Sequence, residues 1–184
     1  MNNNSFNPFT ITELPFGTPG RIFRSPMPYG PDYQSLIKQY QAEDIQIVVN
    51  LLPEDEVKRK GGQDLETAYR NLGLSIVGFP IKDFNIPDAS SIKTALDNVI
   101  YELNKGSNIV VHCFAGLGRT GTFMACLASL YFGIDGNRAI GWVREFIPHA
   151  MENEAQERFV VEFGAKYADQ KRPNHNLDAS ESDP

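Results

Sequence analysis

The sequence is poor in cysteine, with only Cys113 and Cys126 among its 184 residues. Two cysteines do not form a disulfide framework, so a reducing, cytoplasmic location is expected. No apolar run approaches the roughly 18 residues that a membrane-spanning helix needs, so no membrane insertion is expected. The Asn-rich start also lacks the basic and apolar regions of a secretory signal peptide.

A basic excess is absent as well, since 17 Lys and Arg face 23 Asp and Glu, for a formal net charge of -6. Nucleic-acid binders usually carry a basic excess or patch, so this class of partner is not expected. The same charge would suggest little affinity for anions, but net charge describes the whole surface and does not exclude a local anion site. The remaining composition, 41% apolar and 22% charged, is typical of one globular domain.

Short apolar, β-branched runs alternate with stretches of helical periodicity. Three runs have the pattern of buried parallel strands, at residues 45–52, 75–79 and 108–112, and a shorter strand is predicted at 21–25. The clearest helical spacing runs from Ile92 to Leu103, and more helices follow the last strand. These patterns predict an α/β fold, a central, mostly parallel twisted sheet flanked by helices, with a C-terminal helical layer.

The segment from His112 to Gly121 carries the most informative chemistry. A cysteine ends a predicted strand, two glycines lie in the loop that follows, and an arginine opens a helix. Glycines let successive backbone N–H groups point into one concavity, and the helix N-terminus adds partial positive charge there. Arg119 offers a planar fork of donors. Together these features predict an oxyanion cradle suited to a phosphate.

The same cradle would act on Cys113. Thiols at helix N-termini near cations ionise readily, and a thiolate beneath a bound phosphoryl group is an activated nucleophile. The alternative is a glycine-rich turn with a buried structural cysteine. The spacing Cys-x5-Arg with two glycines, in a strand–loop–helix context, favours the chemical interpretation.

The segment resembles the phosphate-binding loop H-C-x5-R-[ST]-G of the cysteine-dependent protein tyrosine phosphatase superfamily. Its form, H-C-x-x-G-x-G-R-T-G, is similar to the dual-specificity branch that includes kinase-associated phosphatase. The resemblance implies a phosphotyrosine phosphatase-like fold over roughly residues 20–168. We therefore expect an irregular leader at residues 1–19, a catalytic domain at 20–168 and a disordered tail at 169–184.

The resemblance also implies a role for each residue of this loop. Cys113 is the expected nucleophile, Arg119 grips the phosphoryl oxygens, and Thr120 assists the second step. His112 supports the loop by hydrogen bonding and by helping to keep the thiol ionised, without acting as a general base. The backbone that lines the phosphate site belongs to Phe114, Ala115, Gly116, Leu117, Gly118 and Arg119.

The general acid of this superfamily is an aspartate from an upstream loop. Residues Gly78 to Pro87 resemble that loop, with Asp83 at the acid position. Because this loop follows a predicted strand, Asp83 should share a rim with Cys113. Asp88 is the rival, but it precedes a predicted helix and is better suited to cap it. A solvated loop position is the remaining alternative for Asp83.

Residues 150–160 resemble, more loosely, a helix start of the family that carries a glutamine near the site. There Gln156 would position water, and an exposed helix position is the alternative. Glu152 and Asn153 would then be helix-start residues.

Several other residues are assigned structural roles. Cys126, in an apolar helix, is interpreted as a small core residue and not as a second redox cysteine. Arg144 fits a structural arginine of the family, and His149 lies in a loop that departs from the family pattern and is interpreted as a plain loop residue. The acids Glu54 to Glu56 are interpreted as helix-start residues, although relatives place this loop near the site.

These patterns predict a protein phosphatase for phosphotyrosine, with phosphoserine and phosphothreonine as further candidates, acting through a cysteinyl-phosphate and an aspartate general acid. A phosphorylated protein is the expected partner, and no metal or cofactor is expected. The loop positions Phe114, Ala115 and Leu117 carry no lysine, which disfavours multiply phosphorylated inositol lipids. The alternatives are a phosphoinositide or RNA 5′-phosphatase and an inactive phosphate-binding module. The sequence does not indicate an oligomeric state.

Overall fold

The computed structural model of the chain describes residues 6–61 and 64–168. The predicted tail at 169–184 lies outside the described residues. A 3-10 turn at Gly30–Asp32 precedes the first helix. In chain order, the elements are β1 (Thr12–Leu14), β2 (Ile22–Ser25), α1 (Tyr33–Ala42), β3 (Ile47–Asn50), α2 (Glu54–Gly61), α3 (Leu65–Asn71), β4 (Ser75–Gly78), α4 (Ala89–Asn104), β5 (Ile109–His112), α5 (Gly118–Phe132), α6 (Gly136–Phe146) and α7 (Glu154–Tyr167).

The strands form one sheet in the order β1-β2-β5-β3-β4. β2, β5, β3 and β4 run parallel, with Val110 of β5 opposite both Phe23 of β2 and Val48 of β3. β1 runs antiparallel to β2 along one edge of the sheet. The mostly parallel sheet of the predicted α/β fold is confirmed. The carboxyl ends of the parallel strands meet at one edge, where α/β proteins bind their ligands.

Helices cover both faces of the sheet. Because successive strand residues point to opposite sides, neighbouring residues of one strand pack in different cores. Val49 and Val111 pack in a core that includes residues of α4, α5, α6 and α7. Val48 and Val110 pack in a second core with residues of α1 and α3. α5 contacts both α6 and α7, which also contact each other, so the predicted C-terminal helical layer is confirmed. No helix in the described ranges is both long and apolar enough to cross a bilayer.

Two helix starts follow the capping residues that the sequence predicts. The Asp88 carboxylate accepts a hydrogen bond from the backbone N–H of Ser91 at 2.8 Å, at the start of α4. The Asn153 side chain accepts one from the backbone N–H of Gln156 at 3.0 Å, at the start of α7. Each bond satisfies a first-turn N–H that has no partner within the helix.

Two expectations about strands need correction. The leader is not irregular throughout, because it contains β1, and Leu14 and Phe16 are buried in the first core. β1 has only 3 residues, too few for a recognisable alternating pattern. The predicted strand at 75–79 is not buried, since Val77 is 41% exposed. β4 is an outer strand, and its apolar composition does not reveal that position.

Candidate active site

The loop between β5 and α5 lies at the carboxyl edge of the sheet, with Cys113 directly after β5 and nearly fully buried. Gly116 has a positive φ of 71° and packs so closely that a Cβ would collide with the carbonyl oxygen of Ser25. Leu117, the residue before α5, provides no side-chain cap for the helix. The first-turn N–H groups of α5 therefore face the loop without a capping side chain, an arrangement that favours an anion.

Arg119 is buried in the first turn of α5 and is held by a carboxylate from α2. Its two terminal nitrogens donate to Glu56 at 2.7 and 2.9 Å, and one also donates to the carbonyl oxygen of Ile81 at 3.1 Å. Burial lowers the pKa of Arg119, but the hydrogen bonds that it donates to Glu56 raise it, and the net direction is upward. The guanidinium is therefore charged and fixed in orientation beside the Cys113 loop.

Glu56 is a site residue that the sequence interpretation missed. Its assignment to the first turn of α2 is correct, but its side chain is only 4% exposed and contacts Arg119. The Arg119 hydrogen bonds lower the pKa of Glu56, although burial opposes this. The available signal in the sequence was position, because α2 follows the carboxyl end of β3 at the ligand-binding edge.

Asp83 lies on the same rim, as the sequence predicts. Its carboxylate is 2.9 Å from Arg119 and 3.4 Å from the Lys60 ammonium, and its side chain is 41% exposed. Lys60 also lies 3.2 Å from Glu56 and 4.0 Å from the ring centre of Phe114 in the loop. Lys60 therefore connects the acid loop to the phosphate loop, a contact that the sequence interpretation did not identify.

Asp88, the rival acid, is occupied in capping α4. Hydrogen bonds from the Ser90 hydroxyl, and then from the backbone and hydroxyl of Ser91, lower the pKa of Asp88 to about 2. The Asp88 carboxylate is engaged by these three hydrogen bonds at the start of α4, whereas the Asp83 carboxylate lies 2.9 Å from Arg119. The structure thus favours Asp83 over Asp88 as the candidate acid.

His112 is fully buried beneath the loop. One ring nitrogen lies 3.0 Å from the Tyr69 hydroxyl and the other 3.2 Å from the carbonyl oxygen of Cys113. Burial lowers the pKa of His112 to about 4, so its ring is neutral at physiological pH. A neutral ring supplies no positive charge to a thiolate, and its contact orients the Cys113 backbone.

Thr120 and Gln156 are both buried. Thr120 lies in the first turn of α5, and Gln156 lies in α7 beside Gly118, the first residue of α5. The Thr120 hydroxyl and the Gln156 side-chain nitrogen make no hydrogen bond within the described part of the chain. The Gln156 side-chain oxygen accepts from the backbone N–H of Glu152 at 2.8 Å. The Glu152 and Gln156 side chains crowd Gly118, where a Cβ would collide with the Glu152 carboxylate. Gln156 is therefore a buried residue beside Gly118 of the phosphate loop and not an exposed helix residue.

A cavity of about 630 Å³ lies beside the loop. Arg144 donates to the carbonyl oxygen of Ala150 at 3.1 Å, as its structural assignment predicts. His149, which lies in a loop as the sequence predicts, also lines this cavity. In the described ranges, no group of three or more His, Cys, Asp and Glu could hold a metal ion. The cavity is lined by Phe84, Leu117, Arg144, His149, Met151 and Glu152.

The sequence matches the model of a family described as Tc-R-P, polymorphic toxin system, DSP-PTPase phosphatase. The match extends over residues 23–131, more than half of the chain. It includes the acid loop and the whole Cys113–Arg119 loop, and it ends inside α5.

Similar curated proteins share only part of their length with the chain. One is an uncharacterised protein of Methanocaldococcus jannaschii, 37% identical over 86 residues, which cover 46% of this chain and 56% of that protein. Another is protein tyrosine phosphatase domain-containing protein 1 of Mus musculus, 27% identical over 136 residues, which cover 70% of this chain and 18% of that protein. The chain spans about half the length of the archaeal relatives that it matches.

Among solved structures, the chain is similar to kinase associated phosphatase with a serine in place of its catalytic-site cysteine. The TM-score is 0.76 at 21% identity, and the match covers 86% of this chain and 96% of that one. This likeness confirms the phosphotyrosine phosphatase-like fold that the loop motif predicts.

Proposed function

We propose that the protein removes phosphate from phosphorylated proteins, because the chain belongs to the DSP-PTPase phosphatase family of polymorphic toxin systems. Its family supports this assignment as a phosphatase, and therefore as a phosphoric monoester hydrolase, and its fold is consistent with it. One observation carries the assignment of its site. The arginine of the loop is fixed between Glu56 and Asp83, at 2.7 and 2.9 Å, beside a cysteine at a helix N-terminus.

In the first step, the Cys113 thiolate attacks phosphorus in line with the bond to the leaving oxygen. The phosphoryl oxygens are bound by Arg119 and by the backbone N–H groups of residues 114–119. The P–S bond forms as the P–O bond breaks, and Asp83 gives its proton to the leaving oxygen. This step yields a cysteinyl-phosphate and the dephosphorylated alcohol or phenol.

In the second step, water attacks the cysteinyl-phosphate. The Asp83 carboxylate takes a proton from this water, while the unpaired amide donor of Gln156 orients its oxygen. The P–S bond breaks, and the Cys113 sulfur leaves as the thiolate with help from the unpaired hydroxyl of Thr120. Inorganic phosphate departs, and the enzyme returns to its starting state without any change of oxidation state.

Phosphotyrosine is the proposed main substrate, with phosphoserine and phosphothreonine as secondary ones. Leu117 and Phe84 line the cavity beside the phosphate loop, together with the charged Arg144 and Glu152. Phe114, in the same loop, packs against Tyr29 with ring centres 5.1 Å apart. These aromatic and apolar side chains support an aromatic leaving group as the proposed main substrate.

Parallel turnover assays on phosphopeptides, phosphoinositides and 5′-triphosphorylated RNA test this proposal. We expect phosphotyrosine peptides to give the highest kcat/KM. Turnover of lipid or RNA without peptide would replace the protein substrate by that alternative. Failure to hydrolyse any of them, or a simple aryl phosphate, under reducing conditions would indicate an inactive phosphate-binding module.

Asp83→Ala is expected to slow substrates according to their leaving group. Turnover of phenyl phosphate, whose leaving group needs a proton, should fall by about 10²–10⁴-fold. Turnover of 4-nitrophenyl phosphate, whose leaving group departs more easily, should fall far less. Steady-state kinetics on the two esters at several pH values give this comparison.

Asp88→Ala serves as the matched control for Asp83→Ala. It removes the cap of α4 and is expected to reduce stability while leaving the ratio between the two esters unchanged. If Asp88→Ala changed that ratio and Asp83→Ala did not, Asp88 would be the acid.

A further inference from the structure

Asn153 makes two hydrogen bonds that point to different parts of the site. Its side-chain oxygen accepts from the backbone N–H of Gln156 at 3.0 Å and so caps α7. Its side-chain nitrogen donates to the carbonyl oxygen of Phe84 at 3.0 Å, across 69 positions of sequence. Phe84 directly follows Asp83, so one amide connects the acid loop to the helix that carries Gln156.

The acid loop needs such a connection because its own packing is weak. The Phe84 side chain is 60% exposed, and its backbone has a left-handed φ of 57°. A left-handed conformation is unfavourable for a bulky residue and persists only where the surroundings hold it. Among the described residues, two hydrogen bonds hold the backbone of this turn. The Asn85 N–H donates to the carbonyl oxygen of Lys82 at 3.0 Å, and the Asn153 side chain donates to that of Phe84.

The segment across the cavity is strained in the same way. His149 and Met151 have φ values of 67° and 61°, and with Phe84 they line the cavity beside the phosphate loop. Unfavourable backbone geometry concentrated around one cavity is typical of functional sites. The Asn153 side chain joins the strained acid loop to the start of α7, which directly follows the strained residues 149–151.

On the other side, the Asp83 carboxylate is held by ion pairs with Arg119 and Lys60. These pairs restrain the side chain, and a bound phosphate would compete for the same guanidinium. The Asn153 bond restrains the backbone and does not involve the phosphate site. It can therefore keep the acid loop in place after substrate has displaced the carboxylate from Arg119.

We infer that Asn153 is a positioning residue for the general acid, because its side-chain N–H holds the acid loop over the phosphate site. This inference rests on the proposed role of Asp83. Loosening the bond reduces the time that Asp83 spends near the leaving oxygen. The chemical step then slows where proton transfer matters, since small displacements of a catalytic group have large effects on rate.

Two substitutions separate this role from the capping role. Asn153→Asp and Asn153→Ser both retain an oxygen that can cap α7, but neither carries the amide N–H that reaches Phe84. We expect kcat on phenyl phosphate to fall about tenfold in both variants, while kcat on 4-nitrophenyl phosphate changes by less than about twofold. The melting temperature should stay close to that of the unaltered protein.

Asp135→Ser is the matched control. Asp135 caps α6 through the backbone N–H groups of Asn137 and Arg138, and neither bond involves the acid loop. This variant should leave the ratio between the two esters unchanged. The inference would be overturned if both Asn153 variants kept the ratio of the unaltered enzyme, or if they lowered both rates equally together with the melting temperature.

Failure of the proposed function has a different signature. If the unaltered enzyme hydrolysed neither ester, the phosphatase proposal would fail. If Asp83→Ala left the ratio unchanged while the Asn153 variants altered it, the acid would be misassigned. If Asp83→Ala altered the ratio and the Asn153 variants did not, the positioning role alone would be wrong.

Discussion

Replacing Cys113 by serine is expected to abolish turnover while leaving substrate binding in place. An alcohol ionises far less readily than a thiol, so the nucleophile is lost at neutral pH. The backbone N–H groups and Arg119 remain, and they continue to bind the phosphate. Removing a nucleophile from a comparable covalent mechanism costs about 10⁶-fold in kcat. Single-turnover kinetics and pulldown of phosphotyrosine peptides by the variant measure the two properties separately.

Cys126→Ala provides the control for Cys113→Ser. Cys126 is fully buried in α5, which confirms its interpretation as a core residue, and burial raises its pKa well above the usual range for a thiol. Its removal should cost some stability and little activity. Retained turnover in Cys113→Ser, or its loss in Cys126→Ala at unchanged stability, would contradict the assignment of the nucleophile.

Glu56→Ala is expected to impair both stability and catalysis. It leaves the Arg119 guanidinium, only 3% exposed, without the carboxylate that accepts two of its hydrogen bonds. Removing one partner of a buried ion pair costs up to about 3–5 kcal/mol, and the remaining contact of Arg119 with the half-exposed Asp83 offsets part of this cost. Arg119 would also lose its fixed orientation, and kcat/KM should fall by about a hundredfold. Chemical denaturation and steady-state kinetics measure these effects.

The stability effect should depend on pH in a defined direction. The pKa of Glu56 is lowered in the folded protein by Arg119, so the pair contributes fully above the ordinary glutamate pKa of about 4.3. That contribution is lost as the pH falls through the lower, folded value. The difference in unfolding free energy between the unaltered protein and Glu56→Ala should therefore narrow below about pH 4.

Glu54→Ala is the matched control on the same helix. Glu54 pairs with Lys58 at the surface, where its side chain is 82% exposed, and solvent screens such pairs strongly. It should change neither stability nor its pH dependence noticeably. Equal behaviour of Glu54→Ala and Glu56→Ala would contradict the role assigned to Glu56.

The phosphate loop could be predicted from the sequence because its parts are consecutive. A buried strand, two glycines and an arginine at a helix start form one local unit, and local geometry determines where its N–H groups point. The parallel sheet was predictable for a similar reason, since β-branched runs alternate with helical periodicity.

The partners of that loop could not be predicted in the same way. Glu56 contacts Arg119 across 63 positions, and Lys60 contacts Asp83 across 23. Both residues lie in a strongly charged helix, where most side chains are solvated. The sequence pattern of α2 does not distinguish the inward-facing acid from its exposed neighbours. Only the fold does so, because it brings Glu56 against Arg119 and Val57 against the second core.

The first strand has a consequence for where the folding unit begins. β1 covers one side of β2, and the preceding residues supply carbonyl oxygens, from Asn7 and Pro8, to the fully buried Arg24. A chain that began at residue 20 would lose both β1 and these two carbonyl acceptors. β2 would become an open sheet edge, which invites pairing with another chain, and a buried cation would lose its acceptors. The segment that matches the family model, residues 23–131, is therefore shorter than the segment that must fold together.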